Sequence, residues 1–179
     1  MINFDSEKCL EQFLYENMDL YAEEIHGFRG GKWIYKKQVA LGRYGICDIL
    51  GFRVVPDMHA PIMEIQFNLI ELKNTIIKIE HFAQIARYKA FFDDLFVETP
   101  HAFEFKASLI GLKTFNNAGD LCYLAHTIDW LNVFEMEISP VTGLSLSLFS
   151  GHGRNRTDAE QLNLFADSLI SEYRGNGNG

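Results

Sequence analysis

The sequence is poor in cysteine and lacks long apolar runs, and each absence narrows what the chain can be. Only three of its 179 residues are cysteines, Cys9, Cys47 and Cys122, and none belongs to a CxxC pair. This usage argues against a zinc site and a disulfide framework, so we expect a cytoplasmic protein with small buried thiols. No apolar run approaches the roughly 18 residues of a membrane span, and Met1–Asp5 has no basic region before an apolar core. We therefore expect no membrane segment and no signal peptide.

Positive charge is scarce as well. Lysine and arginine number 16 against 24 aspartates and glutamates, which gives a formal net charge of -8. Indiscriminate nucleic-acid binding depends on neutralising phosphates, so this balance argues against it while leaving room for a local basic cleft. A Walker loop, a GxGxxG fingerprint, a serine nucleophile elbow and an HExxH motif are all missing, which excludes a nucleotide-hydrolysing motor domain on this chain.

The pattern of apolar residues predicts an α/β fold with a mixed central sheet flanked by helices. A hydrophobic content of 47% and a charged content of 22% suit one globular domain over residues 1–173, followed by a disordered tail at 174–179. In chain order we predict a helix at 6–18, strands at 32–41, 46–55 and 62–73, a helix at 75–95, a strand at 103–114, a helix from Asp120 to 128, a hairpin of strands at 130–139 and 144–149, and a last helix from Thr157. The proline-bounded turn at 56–61 favours antiparallel pairing of the second and third strands.

Charged residues interrupt two of these apolar strands. Asp48 stands in the run Ile46–Leu50, and Glu71 and Lys73 stand in the run that begins near Ile62. Residues two apart in a strand project to one face, so Glu71 and Lys73 should lie side by side. An unpaired charge is expensive to bury, which makes these positions candidates for function. On the following helix, Gln84 and Tyr88 stand at i and i+4 and share a face.

An aspartate strand, a Glu-x-Lys strand and a helix with Gln84-x-x-x-Tyr88 together resemble the core of the PD-(D/E)xK nuclease superfamily. The last pair is similar to the RecB-like branch, and Glu7-x-x-Leu10-Glu11 resembles the opening of NucS-type (EndoMS-like) domains. The resemblance covers roughly residues 6–115 and implies a restriction-endonuclease-like α-β-β-β-α-β core. Cys47 stands where the superfamily name has its proline, a position that varies among members.

The resemblance also implies a set of site residues. Mg²⁺ or Mn²⁺ would be held by Asp48, Glu71 and the backbone carbonyl of Leu72. Lys73 would orient or deprotonate the attacking water or stabilise the transition state, and Gln84 and Tyr88 would position the metal shell or the phosphate. A first-helix glutamate would lean over the metal; Glu11 is preferred to Glu7, and the choice stays open.

The implied function is hydrolysis of phosphodiester bonds by a metal-dependent nuclease, with DNA as the expected substrate, in repair or in defence against foreign DNA. DNA and RNA are not distinguished by the sequence, nor are ends and internal bonds. Six basic residues are expected to surround the site: Arg29, Lys32, Arg43, Arg87, Arg154 and Arg156. The alternative is a binding protein, either an inactive nuclease fold that binds nucleic acid or protein or an acidic partner-binding module. The competing interpretation of the motif itself is that Glu71 and Lys73 form a surface ion pair and Asp48 caps a turn. A homodimer or a protein partner is left open.

Overall fold

The computed structural model describes residues 4, 6–26, 32–56, 63–97, 102–112, 124–125, 127–139 and 143–149. The helices are α1 (Glu7–Glu16), α2 (Met18–His26) and α3 (Ile79–Val97). The strands are β1 (Ile34–Ala40), β2 (Ile46–Pro56), β3 (Met63–Ile76), β4 (Ala102–Leu112), β5 (Leu131–Ser139) and β6 (Gly143–Leu148), and a short 3-10 turn (Gly42–Tyr44) joins β1 to β2. The chain divides into two compact units, 1–149 and 150–179, and the second lies outside the described residues.

The strands form one mixed sheet in the order β1-β2-β3-β4-β5-β6. β1, β2 and β3 are an antiparallel meander, with Ile49 opposite Ile70. β4 runs parallel to β3, since α3 carries the chain back along the sheet, as a parallel pair requires. β5 is parallel to β4, and β6 returns antiparallel to β5. The predicted mixed α/β architecture is therefore confirmed.

Apolar residues on the two faces of the sheet form two cores. Residues of α3, including Ile85 and Phe92, pack with Leu69 and Leu109 on one face. Residues of α1 and α2 pack on the other face with Ile70 and Leu72 of β3. Adjacent residues of β3 thus pack into opposite cores, because successive side chains of a strand point to opposite faces and β3 is buried on both.

Several predicted elements are confirmed with small changes in their limits. Ser6 caps α1, its side chain accepting the backbone N–H of Cys9 at 3.2 Å, and the predicted hairpins of β2 with β3 and β5 with β6 are both antiparallel. The helix predicted to begin at residue 75 begins at Ile79 because β3 continues to Ile76. The predicted burial of the thiols is confirmed for Cys47 and wrong for Cys9, which is exposed on α1.

The prediction of one continuous first helix at 6–18 is wrong. The α1 helix ends at Glu16, and Asn17 turns its side-chain amide back to the carbonyl of Phe13 at 2.8 Å. The second helix, α2, then begins at Met18 and was not predicted. Asparagine bonds to nearby backbone and so competes with helix continuation, which explains the break.

Some predictions fall outside the described residues: most of the helix at 120–128, the helix from Thr157 and the tail at 174–179. The extent of a single domain over 1–173 stays a prediction for the same reason. None of the described helices combines the length and the apolar character that crossing a membrane would require.

Candidate active site

The charged residues of β2 and β3 meet at one end of the sheet, between α1 and α3. The β2–β3 ladder extends to Ile49 opposite Ile70, and just beyond it Asp48 Oδ2 accepts the backbone N–H of Leu72 on β3. Glu71 and Lys73 stand two residues apart on β3 and therefore share a face. The strand geometry thus gathers two carboxylates and an ammonium group with only 9%, 1% and 9% of their residue surfaces exposed for Asp48, Glu71 and Lys73.

Asp48 is held by the backbone of the neighbouring strand. Its Oδ2 accepts the N–H of Leu72 at 2.8 Å. Burial raises the pKa of Asp48 to about 6, against the lowering effects of the Leu72 N–H and of Lys73, while Glu7 and Glu11 repel its charge. A carboxylate so placed is a good ligand for a cation, since a bound positive charge would favour the ionised form.

One carboxylate oxygen of Glu71 accepts two hydrogen bonds, and the other accepts none from the described residues. Its Oε1 accepts hydrogen bonds from Lys73 Nζ at 2.7 Å and Gln84 Nε2 at 2.6 Å. Its Oε2 is buried, and none of the described residues donates a hydrogen bond to it. Burial, then repulsion from Asp48, raises the pKa of Glu71 to about 7, although Lys73 opposes the shift. Because buried polar atoms are nearly always satisfied, this oxygen is a candidate acceptor for a further donor or a cation.

Lys73 is a fixed cation beside these carboxylates. Besides Glu71, its Nζ lies 3.4 Å from the carboxylate of Glu7 on α1. Burial works against its charge, but the hydrogen bond and charge of Glu71, together with Glu7 and Asp48, outweigh burial and raise the pKa of Lys73. Lys73 therefore stays protonated and acts as a donor in this arrangement.

Two α3 residues complete the inner contacts. Gln84 Nε2 donates to Tyr88 Oη at 2.7 Å as well as to Glu71, and Tyr88 Oη donates to the carbonyl of Ile46 at 2.7 Å. Tyr88 reaches this carbonyl by passing against Gly45, where a Cβ would lie 3.0 Å from the tyrosine ring. The helix is thereby tied to the strand that carries Asp48.

Residues of α1 and β1 form the outer wall of the site. Glu11 is buried and accepts a hydrogen bond from Gln38 Nε2, which also lies 3.5 Å from Asp48 Oδ1. The sequence left Glu7 and Glu11 as alternatives; the structure brings both to the site, Glu7 to Lys73 and Glu11 to Gln38. Gln38 was missed, because only the pairing of β1 with β2 sets it beside Asp48.

A cleft of about 490 Å³ opens between these walls. It is lined by Glu7, Lys8, Glu11, Gln38 and Asp48, and its volume falls in the range of small-ligand sites. Among the described residues no three His, Cys, Asp or Glu side chains converge as a metal-binding group. The cleft nevertheless presents carboxylate oxygens, from Glu7, Glu11 and Asp48, which are the type of ligand that hard cations take.

Three of the six predicted basic residues can be placed, and they do not form one cluster. Arg87 lies beside Tyr88, its guanidinium carbon 5.9 Å from the ring centre. Arg43 is exposed, donates to Tyr44 Oη at 2.7 Å and pairs with Asp94 at 3.6 Å. Lys32 precedes β1, at the end of the β1–β2 pair remote from Asp48. The other three lie outside the described residues: Arg29, Arg154 and Arg156.

The fold and the site together define an α/β protein with a buried, lysine-paired carboxylate couple at one end of a mixed sheet. No family model, no curated protein and no solved structure matches the chain.

Proposed function

We propose that the chain is a metal-dependent nuclease of the PD-(D/E)xK type, which hydrolyses phosphodiester bonds of DNA in repair or in defence against foreign DNA. The observation that carries the proposal is the buried Oε2 of Glu71, which receives no hydrogen bond from the described residues and lies beside a second buried carboxylate, Asp48. A structural ion pair would be expected to satisfy both oxygens, since an unpaired buried acceptor costs about 1–3 kcal/mol. A cation ligand would remove that cost.

The residues fit a hard divalent cation. Asp48 and Glu71 would supply a carboxylate oxygen each and Leu72 its backbone carbonyl, all of them the oxygen ligands that Mg²⁺ and Mn²⁺ take. When bound, such an ion would activate water for hydrolysis and stabilise charge that develops on the phosphate.

Lys73 would work as a donor to the reacting groups. Because its pKa is raised, Lys73 would hold and orient a water or a phosphate oxygen and stabilise negative charge in the transition state. Of the roles suggested by the sequence, deprotonation of the water is the one that this geometry favours least, because an ammonium group with a raised pKa is a poor base.

Gln84 and Tyr88 would hold the site in shape. Gln84 donates to the same Glu71 oxygen that Lys73 contacts, so that oxygen is fixed and Oε2 is directed away from the pair. Tyr88 anchors Gln84 to the backbone at Ile46. Removal of Gln84 should therefore lower the rate less than removal of Lys73, since Gln84 positions a ligand and does not touch the phosphate.

A second candidate function is an inactive nuclease fold that binds a protein or nucleic-acid partner. The net charge of -8 favours it, because phosphate binding gains from cations. The three predicted basic residues that can be placed, Lys32, Arg43 and Arg87, also do not form one cluster. The short Lys73–Glu71 contact of 2.7 Å is also what a purely structural pair would show. The two functions differ in whether a divalent cation binds and whether DNA is cut.

A cleavage screen with a matched pair of variants tests the proposal. Single-stranded, double-stranded and branched DNA, and RNA, would be incubated with wild type and with Mg²⁺ or Mn²⁺. We expect Lys73→Met to lower kcat by about 10²–10³ per folded molecule, while Lys78→Met, at an exposed lysine near the start of α3, leaves kcat unchanged. Cleavage that survives in Lys73→Met at the wild-type rate, or its absence from folded wild type on every substrate with either metal, would reject the nuclease.

A further inference from the structure

Gln38 has an unusual backbone for its place in the sheet. Its φ is 50°, the one positive value among the described non-glycine residues. The ladder between β1 and β2 keeps the same register on both sides, with Lys37 opposite Ile49 and Val39 opposite Cys47. The left-handed region is costly for a residue with a Cβ, and such strain persists where the surroundings impose it and often marks functional sites.

The side chain of Gln38 links two carboxylates that belong to different elements. Its Nε2 donates to Glu11 Oε2 on α1 and lies 3.5 Å from Asp48 Oδ1 on β2. One amide nitrogen carries two hydrogens, so it can serve both acceptors at once. Leu72 N–H already donates to Asp48 Oδ2, so each oxygen of Asp48 then has a neighbouring donor that fixes its position.

We infer that Gln38 is a positioning residue of the site: the strained strand places its amide so that it orients Asp48 and ties Glu11 to it. The inference rests on the proposed function, because the orientation of Asp48 matters for a metal that Asp48 holds. Two like charges on separate elements would otherwise move apart, and the neutral amide joins them without adding a charge. Residues that orient metal ligands in this way commonly affect metal affinity by 10–100-fold.

The test compares Gln38→Ala with Gln38→Gly and with Gln12→Ala. Gln12 is an exposed glutamine on α1 that contacts Lys37 and Glu16, away from Asp48, so it controls for loss of a surface amide. Calorimetric titration with Mn²⁺ should show binding about 10–100-fold weaker in Gln38→Ala and unchanged in Gln12→Ala. Cleavage lost at low Mn²⁺ should return at saturating Mn²⁺, since the amide contacts the ligand and not the phosphate.

The strain is measured separately on the metal-free protein. Both Gln38 variants lack the amide, but only glycine adopts a positive φ without cost, so the Tm of Gln38→Gly should exceed that of Gln38→Ala by about 2–4 °C. Equal Tm values would overturn the claim that the backbone at Gln38 is strained. Mn²⁺ binding by Gln38→Ala at wild-type affinity would overturn the positioning role of Gln38. A wild-type protein that binds no Mn²⁺ would instead overturn the proposed function.

Discussion

Neutralising Glu71 should make the stability of the metal-free protein less sensitive to pH. Burial and Asp48 raise the pKa of Glu71 from its ordinary 4.5 to about 7. A group whose pKa is raised by folding stabilises the folded state below its unfolded pKa, and that stability is lost as the pH rises through the folded pKa. The displacement corresponds to roughly 3 kcal/mol lost between about pH 4.5 and pH 8. Glu71→Gln has no such titration.

The free energy of unfolding of wild type and Glu71→Gln would be measured by urea denaturation across that pH range without divalent cations. The difference in free energy of unfolding between Glu71→Gln and wild type should shift in favour of the variant by roughly 3 kcal/mol from the acid end of the range to the alkaline end. Hydrogen bonds changed by the substitution add a constant offset and do not affect the trend. Glu137→Gln, on an exposed part of β5, controls for the loss of one carboxylate from the chain. A difference between Glu71→Gln and wild type that stays flat with pH would refute the desolvation of Glu71.

Three other predictions concern acid stability, packing and substrate binding. Burial, and secondarily the charge of Arg53, lowers the pKa of His26 to about 4, so the stability that neutral His26 contributes is present above pH 6.5 and lost as the pH falls toward 4. In urea titrations His26→Asn should therefore lose less stability than wild type over that range, and an equal loss would be evidence against the shift. Gly45→Ala should lower the free energy of unfolding by about 1–3 kcal/mol, because φ at Gly45 is 122° and the new Cβ would meet Tyr88; an unchanged denaturation midpoint would contradict the close packing. DNA binding, followed by fluorescence anisotropy, should require Mn²⁺ or Ca²⁺ and weaken with salt, and tight binding in EDTA would speak against a substrate held through the metal.

The inner site follows from local periodicity, which is why sequence alone predicted it. Alternation along β3 puts Glu71 and Lys73 on one face, and helical spacing puts Gln84 and Tyr88 together; the structure shows both contacts. The meeting of Asp48 and Glu71 needed one further step, the hairpin of β2 and β3. The proline-bounded turn between those strands was enough to predict it.

The outer site depends on tertiary structure, and there sequence reasoning was incomplete. Whether Glu7 or Glu11 reaches the site depends on how α1 crosses the sheet, and both do. Gln38 looks like an ordinary polar residue of an edge strand until the register of β1 against β2 is known. The break between α1 and α2 at Asn17 depends on a local hydrogen bond that competes with a strong helical pattern.

The most direct test of the central claim, that Asp48 and Glu71 hold a metal, is anomalous diffraction from crystals of the protein soaked with Mn²⁺. We predict an anomalous peak next to the carboxylates of Asp48 and Glu71, at Oε2 of Glu71, and its loss in crystals of Glu71→Gln. Crystals that show Mn²⁺ elsewhere and no peak at these carboxylates, although the cleft is open to solvent, would contradict the account.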